Sequence, residues 1–532
     1  MDFTKKANSS SQLGQNDIQI ESKKPSPSLI NTEEKQEYFK DKNSYIDYFL
    51  EIGVNPSLFL DSRLYSFDSI NDINKLIIPE IISKFPNYDK KYLVIDNVTI
   101  KTVFPKGFKC VEASSKPDPE FYPLILDNQL TSMEYNHKYL ACLIIYESIY
   151  SYRLLYDKYN EKNTNEKNEK YKNYYIPKCL ALVSVFPTTD KFEKILKALY
   201  DYSIDEKYNN LLIEELLQKI IINTPRSPRG YKKLVLKLPN RQIDLTENKM
   251  NELPTIHCNI SQTMGHFNVD NFIEIFRFLI LEAKMIFFST KLYDLTNTIQ
   301  SFLTLISPFK YQYQIVSVLP RNLYSFCETI SPFIFGINES YTKNFFKKYK
   351  IEIEDTTICA VDIDTGEYYL MAPDGKLDLK EYPNLPKHIK DKILHKLNKY
   401  IKELINFNSK DVKVKEDNKK YQKMFYNVML YILRDYPKYL SQDYGVTRTI
   451  GMNIQDMIDL NNYINAQPIN DRDFYTKIFD SQMFIEFIYK RMMPKDCNDK
   501  VEVLYFEEKI FAKAIKKKCL VNQKHQIIIF YY

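Results

Sequence analysis

The stretch of sequence that decides the fold runs from residue 268 to residue 341 and reads NVDNFIEIFRFLILEAKMIFFSTKLYDLTNTIQSFLTLISPFKYQYQIVSVLPRNLYSFCETISPFIFGINESY. Its first apolar residues recur at helical spacing from Phe272 to Ala283, and Asn268 stands where an N-cap is expected. The pattern predicts, in order, helix 268–284, strand 285–288, helix 292–306, strand 315–319, helix 321–330 and strand 333–337. Strands that alternate with helices across short joins indicate an α/β fold with a parallel sheet and right-handed crossovers.

Length and composition set the limits for the rest of the chain. The 532 residues are enough for two to four domains, and a hydrophobic content of 44% is sufficient for sizeable cores. The net charge of +6 comes from 74 basic and 68 acidic residues. Spread over this length, the charge does not predict a nucleic-acid partner.

Cysteine spacing and hydropathy predict the compartment. None of the eight cysteines forms a Cys-x-x-Cys pair, so we interpret them as reduced packing thiols. The first residues, MDFTKKANSSSQ, lack the apolar core of a secretory signal. There is also no run of about 18 uncharged apolar residues, which a membrane-spanning helix would need. A cytoplasmic protein is therefore expected.

The sequence offers no set of residues for covalent chemistry. It contains no glycine-rich phosphate loop and no Gly-x-Ser-x-Gly elbow, and no two histidines are placed for zinc. Residues 364–366 match the aspartic-protease tripeptide Asp-Thr-Gly, but that chemistry needs two such loops and only one is present. A plain hairpin turn is the better interpretation. We expect no catalytic residue, no metal and no cofactor, and an action that depends on binding a partner.

Four blocks of the central stretch carry a family resemblance. They are LEAKMIFFS at 281–289, SPFKY at 307–311, SVLP at 317–320 and SPFIFGI at 331–337. In this order and spacing they resemble the core of the central DENN domain. One departure is that Tyr311 stands where the family has Trp, and the chain contains no Trp at all. Tyrosine fills much of the same apolar space, so the departure weakens the resemblance little.

The flanking sequence extends the resemblance to a tripartite DENN protein. Residues 47–54 (DYFLEIGV) resemble the first strand of the upstream domain, and residues 480–488 (DSQMFIEFI) resemble a block of the downstream domain. The implied fold is α/β plus α+β: a longin-like N-terminal lobe, a central parallel-sheet domain and a helical downstream domain. The expected divisions are a disordered tail 1–42, upstream lobe 43–155, low-complexity insertion 156–173, central domain 174–370, helix and charged linker 371–420, downstream helical domain 421–495 and basic C-terminal extension 496–532.

The resemblance also implies a function. Members of this family promote GDP release from Rab-family small GTPases, so the expected partner is a Rab in its GDP-bound or nucleotide-free form, with peripheral contact to vesicle membranes and no nucleic acid. One alternative is a non-catalytic GTPase effector or trafficking adaptor with the same fold, and the sequence does not separate the two. A hydrolase built on the central sheet is a weaker alternative, because the loops lack a nucleophile and base.

Five residues near the ends of the central elements are candidates for partner contact, because α/β folds present binding sites at such loops. They are Glu282, Lys284, Asp294, Tyr311 and Arg321. The competing interpretation is that Glu282 and Lys284 hold a helix–strand join and that the others cap and pack. The lysines at 513 and 516–518 are a further candidate, for anionic membrane, against a solvated basic turn followed by a final strand.

Overall fold

The computed structural model describes residues 44–55, 57–58, 70–90, 92–127, 137–152, 172–204, 213–226, 233–249, 251–353, 357–372, 381–405, 412–441, 453–492 and 497–521. The predicted disordered tail over 1–42 lies outside these residues. So does the predicted low-complexity insertion over 156–173, apart from its last two positions.

An antiparallel sheet forms the first part of the molecule. Its strands are β1 Tyr48–Gly53, β2 Glu80–Phe85, β3 Val111–Glu112, β4 Glu120–Asp127, β5 His137–Ser148 and β6 Tyr174–Ser184. The order across the sheet is β2-β1-β6-β5-β4, and β3 also pairs with β6. The long strands β5 and β6 stay in register from Tyr139–Ser184 to Ser148–Tyr175. Strand β4 therefore lies at one edge of the sheet, where its outer side can contact other parts of the protein.

Short helices and one long helix surround this sheet. They are α1 Ile70–Leu76, α2 Asn97–Val103, α3 Thr189–Ile204 and α4 Ile213–Leu217, and α4 runs into a π-helical turn over Gln218–Ile222. Phe192 and Ile195 of α3 are fully buried in one core with Leu143 and Leu182 of the sheet. Residues on α3 at positions 192, 195, 196 and 199 share one face, so its periodicity accounts for this packing.

The central stretch forms a second, mixed sheet. A small separate hairpin, β7 Val235–Lys237 and β8 Gln242–Asp244, precedes it. The strands of the sheet are β9 Lys284–Phe288, β10 Gln314–Val316, β11 Phe333–Ile337, β12 Ile358–Asp362 and β13 Glu367–Met371. The helices of this region are α5 Ile260–His266, α6 Val269–Ile280, α7 Leu292–Leu305 and α8 Phe345–Tyr349. The strand order is β10-β11-β9-β12-β13. The pairs β10–β11, β11–β9 and β9–β12 are parallel, and β12–β13 is antiparallel.

Local sequence explains the central elements well. Asn268 caps α6, because its side chain accepts a hydrogen bond from the backbone N–H of Asn271. β9 lies between β11 and β12, so both of its edges are paired. All five of its residues are buried, which shows that both of its faces are covered as well. Predicted helix 321–330 is instead a 3-10 helix over Arg321–Glu328. Its buried residues Tyr324 and Cys327 are three apart, which is the 3-10 repeat.

The C-terminal part is helical. It contains α9 Lys387–Ile405, α10 Val412–Ile432, α11 Ile454–Met457, α12 Leu460–Asn465, α13 Arg472–Phe479, α14 Gln482–Met492 and α15 Cys497–Val521. The prediction of a charged linker up to residue 420 is wrong from residue 412 onward, where α10 begins. The predicted basic turn at 513–518 is also wrong, because these residues belong to α15. The predicted final strand lies outside the described residues.

Both corrections have the same physical reason. Phe425 of α10 is fully buried, and its ring lies 5.5 Å from that of Phe272 and 4.8 Å from that of Phe276 on α6. Phe506 of α15 is likewise fully buried, with its ring 5.4 Å from that of Phe487 on α14. Tertiary contacts of this kind stabilise a helix whose local sequence is mostly charged.

Two general features follow from the described residues. Six cysteines there carry free thiols, and five of them are buried, which agrees with packing thiols. Among the helices of the described residues, none combines the length and apolar character needed to cross a membrane.

Candidate functional site

The parallel strands of the central sheet all end at one edge, and polar loops follow them there. After β9, the Ser289 hydroxyl donates to Asp364 Oδ1 at 2.6 Å, and the backbone N–H and hydroxyl of Thr290 donate to Oδ2 at 2.9 and 2.8 Å. Burial alone would raise the pKa of Asp364, but these hydrogen bonds and the charge of Lys291 outweigh it and lower that pKa. Asp364 is thus an ionised acceptor that joins two loops.

The Asp-Thr-Gly tripeptide is a tight turn of the β12–β13 hairpin. Thr365 donates its hydroxyl to Asp362 at 2.8 Å, and Gly366 has a φ of +76°. A Cβ at Gly366 would lie 2.2 Å from the carbonyl oxygen of His266, so only glycine fits there. The carboxylates of this turn bind neighbouring hydroxyl and N–H groups, which confirms the turn interpretation.

A second acidic residue organises the loop after β11. Glu339 accepts hydrogen bonds from Arg321 Nε at 2.6 Å and from the hydroxyl of Tyr349 at 2.9 Å. Burial acts to raise the pKa of Glu339, and hydrogen bonds from Arg321 and Tyr349 overcome it and lower that pKa. The Arg321 side chain is still 67% exposed. This carboxylate therefore fixes the position of a guanidinium that faces solvent.

The beginning of α7 holds a third polar group at the same edge. Asp294 is buried, and its Oδ1 accepts a hydrogen bond from Gln262 Nε2 at 2.6 Å. His266 Nε2 is 3.8 Å from the same oxygen. Among the described residues, no group of three or more His, Cys, Asp or Glu side chains is arranged to hold a metal ion. The polar groups of this edge are engaged with one another, which favours a rigid platform.

The two large sheets meet beside this edge. Ser317, just after β10, donates its backbone N–H to the carbonyl of Ile125 at 2.9 Å and accepts the N–H of Ile125 on its hydroxyl at 2.8 Å. His137 of β5 also contacts the carbonyl of Tyr313 at 3.1 Å. Gly336 permits the close approach here, because a Cβ on it would lie 2.0 Å from the carbonyl oxygen of Ser317. Edge strand β4 is thereby fixed to the central domain.

The structure buries four of the five predicted contact residues. Glu282, Lys284, Asp294 and Tyr311 are each at most 8% exposed, and Arg321 alone faces solvent. Tyr311 occupies the position of the family tryptophan and is 4% exposed, as the sequence predicted for an apolar slot. Asp294 and Arg321 lie at the carboxyl edge of the central sheet, whereas Glu282 and Lys284 lie at its opposite end, before and at the start of β9.

Glu282 connects the central sheet to the C-terminal helices. Its carboxylate accepts the backbone N–H groups of Gln482 at 3.0 Å and Met483 at 2.8 Å, at the first turn of α14. The hydroxyl of Ser481 accepts the N–H of Phe484 at 3.2 Å, so three free N–H groups of this helix end are satisfied. Glu282 has a φ of +55°, an uncommon conformation for a residue with a side chain. Burial raises the pKa of its carboxyl despite these hydrogen bonds.

Sequence reasoning missed two exposed apolar residues beside Arg321. Phe326 is 38% exposed and Ile330 is 73% exposed, and both lie in the connection from β10 to β11. The sequence pattern predicts a helix over 321–330 and does not single out these two residues. Their signal in the sequence is weak, because only the 3-10 geometry puts Tyr324 and Cys327 inside and leaves the others outside. We call the exposed segment Arg321–Ile330 the 321–330 surface.

Comparison with known proteins agrees with this architecture. The family model of the DENN (AEX-3) domain matches residues 175–366, and that of the dDENN domain matches residues 459–509. DENN domain-containing protein 1B from mouse is 26% identical over 191 residues, which cover 36% of this chain and 24% of the mouse protein. The human protein of the same name is 26% identical over 240 residues, 42% of this chain and 29% of the relative. The chain thus spans less than a third of these relatives, and neither family model reaches the residues before 175.

Proposed function

Since this chain is a DENN domain protein, we propose that it is a guanine-nucleotide exchange factor for a Rab-family small GTPase. The observation that carries this proposal is the DENN match over residues 175–366, which contains the whole carboxyl edge of the central sheet. The carboxylates of that edge are engaged in internal hydrogen bonds. A rigid polar platform of this kind supports binding of a protein partner better than it supports covalent chemistry.

Exchange requires only differential binding. A factor that binds the nucleotide-free GTPase more tightly than the GDP-bound form lowers the free energy of the state in which GDP has left. GTP then refills the empty site. The factor needs a surface complementary to the distorted switch regions of the GTPase, and it needs neither a nucleophile nor a base.

The proposed domain organisation follows the tripartite pattern. The expected boundary between residues 43–155 and 174–370 needs a correction, because β6 (174–184) pairs with both β1 and β5 of the first sheet. We therefore assign β1–β6 with α1–α4 to a longin-like upstream domain and the sheet β9–β13 with its helices to the central domain, and we extend the downstream helical domain to include α10 and α15. The hydrogen-bonded junction between Ile125 and Ser317 supports a GTPase-binding surface shared by the first two domains. We also propose that the protein attaches peripherally to vesicle membranes.

We further propose that the 321–330 surface contributes to GTPase contact. Arg321 is held in place by Glu339, and Ile330 offers apolar area that nothing in the described chain covers. Fixed arginines and exposed apolar side chains are the residues that most often dominate protein interfaces. In this proposal, the buried Glu282, Lys284, Asp294 and Tyr311 have structural roles and do not touch the partner.

The test is release of fluorescent GDP from a panel of purified Rab proteins. We expect the full chain to accelerate release from at least one Rab. Ile330→Asp should reduce that acceleration by roughly tenfold or more, because it places an unpaired charge in the contact. Ile469→Asp is the matched control, since Ile469 is 78% exposed on the C-terminal helices and its replacement should leave the rate unchanged.

Two outcomes contradict parts of the proposal. Equal losses for Ile330→Asp and Ile469→Asp would remove the 321–330 surface from the contact while leaving exchange intact. No acceleration with any Rab, together with preferential binding to a GTP-loaded Rab, would make the protein an effector or trafficking adaptor instead.

A further inference from the structure

Two helices that are far apart in sequence, α9 and α15, bring lysines to one tyrosine of α10. The Nζ atom of Lys392 on α9 lies 3.4 Å from the ring centre of Tyr431 on α10. The Nζ atom of Lys513 on α15 lies 4.7 Å from the same ring centre. Lys396, one helical turn after Lys392, is exposed on the same side of α9. We call Lys392, Lys396, Tyr431 and Lys513 the lysine cluster.

The lysine cluster has no internal counter-charge. Among the described side chains, no carboxylate oxygen lies within 4.0 Å of an ammonium of the cluster, whereas the neighbouring charged groups are paired. Asp435 accepts from Arg434 Nε at 2.8 Å and from Lys438 Nζ at 2.7 Å. Asp471 is directed to His388, at 3.8 Å. These two acids are therefore already occupied.

This arrangement costs free energy when nothing is bound. Lys513 is half-buried, and burial together with the charges of Lys396 and Lys392 lowers its pKa to about 8. The ammonium of Lys392, close to the Tyr431 ring, lowers the pKa of Tyr431, and the charges of Lys396 and Arg434 lower it further. Like charges placed this close, in a partly desolvated position, repel one another. An anion would convert that repulsion into attraction.

We propose that the lysine cluster is a binding site for a phosphate group. A phosphate carries up to two negative charges and several acceptor oxygens, which matches three separate ammonium donors. A single carboxylate offers only one charge and two oxygens to the same three donors. The Tyr431 ring lies within 4.7 Å of the ammonium groups of both Lys392 and Lys513, and thus holds them near each other.

The site should respond to pH. Lys513 faces Lys392, Lys396 and Tyr431, and it loses its charge as pH rises through about 8. Binding of a phosphate should therefore weaken between pH 7 and about 9, and proton uptake should accompany binding near pH 8. His388, one helical turn before Lys392, is another titratable group, and its pKa is lowered by burial and by the charges of Lys392 and Arg434, against the charge of Asp471.

The experiment is calorimetric titration of the full chain with inorganic pyrophosphate at pH 7. We expect Lys392→Gln combined with Lys513→Gln to reduce affinity at least about tenfold, because each charge-assisted hydrogen bond of this kind is worth a factor of that order. Lys387→Gln combined with Lys399→Gln is the matched control, with two exposed lysines of α9 removed. The cluster variant should unfold at the same or a slightly higher temperature than the unmodified chain, since it relieves repulsion.

Vesicle binding separates the two sources of such a phosphate. Phosphatidylcholine vesicles that contain phosphatidylinositol 4-phosphate identify a lipid headgroup if they bind the control variant but not the cluster variant. If pyrophosphate binding depends on the cluster and vesicle binding does not, a soluble phosphate compound is the natural occupant. Absence of pyrophosphate binding, equal loss in both variants, or binding of a polyglutamate peptide in its place would overturn the proposal.

Discussion

The central sheet and the C-terminal helices both form regular secondary structure, but the sequence predicts the strands of the sheet much better than it predicts the beginning of helix α10. Strand β9 is apolar apart from Lys284, strand β11 is wholly apolar, and both begin and end within one residue of their predicted bounds. Helix α10 begins with VKVKEDNKK, which predicts a solvated linker. A strand covered on both faces has an apolar sequence whatever its neighbours are. In α10 the apolar stripe that begins near Phe425 predicts the later turns of the helix, but the charged first turns show neither their helical state nor their buried residues until the packing partner is known.

The buried polar residues of α10 make the comparison sharper. Asp417 and Asn418 lie in the charged run that predicts exposure, but both are buried. Asn418 Oδ1 accepts the backbone N–H of Ser261 at 2.7 Å, in the first turn of α5. Gln422 donates to the carbonyl of Pro254 at 2.9 Å. Polar side chains here replace water at backbone groups of the central domain, and hydropathy does not report that role.

The largest expected effect tests whether α10 depends on the central domain. Phe425→Ala removes a fully buried ring that contacts Phe272 and Phe276, and should cost about 3–5 kcal/mol in the free energy of unfolding. Chemical denaturation monitored by circular dichroism measures this. The control is Phe511→Ala on α15, where the ring is 55% exposed and the loss should stay below about 1 kcal/mol. Equal costs for the two variants would mean that α10 does not pack as described.

The next effect tests the connection between the two regions. Glu282→Ala leaves the buried N–H groups of Gln482 and Met483 without an acceptor, and should cost about 2 kcal/mol. Hydrogen exchange of the first turn of α14 should accelerate by more than that of β9. Glu508→Ala, at an exposed position of α15, is the control and should change neither quantity. Unchanged exchange in α14 would contradict the capping role.

The pH dependence of Glu282 refines this second prediction. Its pKa in the folded protein is raised above the ordinary value of 4.5, so its contribution to stability is fully present below that value and is lost as pH rises through the raised pKa. Glu282→Gln removes that titration. The unmodified chain should therefore lose stability relative to Glu282→Gln between pH 4 and pH 7. If the unmodified chain instead gained stability relative to Glu282→Gln over this pH range, the hydrogen bonds to the ionised carboxylate would outweigh the effect of burial on the pKa of Glu282.

The smallest expected effect concerns a single polar contact of α10. Asn418→Ala deprives the N–H of Ser261 of its acceptor and should cost about 1 kcal/mol, measured by the same denaturation. Asn427→Ala is the control on the same helix, because Asn427 donates only to the carbonyl of Lys423 one turn earlier. If the two variants lower the free energy of unfolding equally, the contact between α10 and α5 adds no stability beyond that of the helix itself.

The sequence predicted less about the candidate site than about the fold. Of the five residues it proposed for partner contact, only Arg321 is exposed, and that contact stays a prediction, whereas the Asp-Thr-Gly turn is confirmed by the positive φ of its glycine. It chose Glu282 and Lys284 because they flank a buried strand, but the structure buries both. It missed Phe326 and Ile330, because exposure depends on whether residues 321–328 turn with a period of three or of 3.6. Side-chain type alone does not report that choice.

The sequence by itself determined the alternation of central helices and strands, the N-cap at Asn268, the turn at 364–366 and the family resemblance, because each depends on neighbouring residues or on local backbone preference. Only the tertiary structure decided that Glu282 caps a helix 200 residues later, that β4 joins the central sheet through Ser317, and that lysines of α9 and α15 meet at Tyr431. These contacts join residues that are distant along the chain. Their energies arise from burial and from satisfied hydrogen bonds, which exist only after the domains have packed.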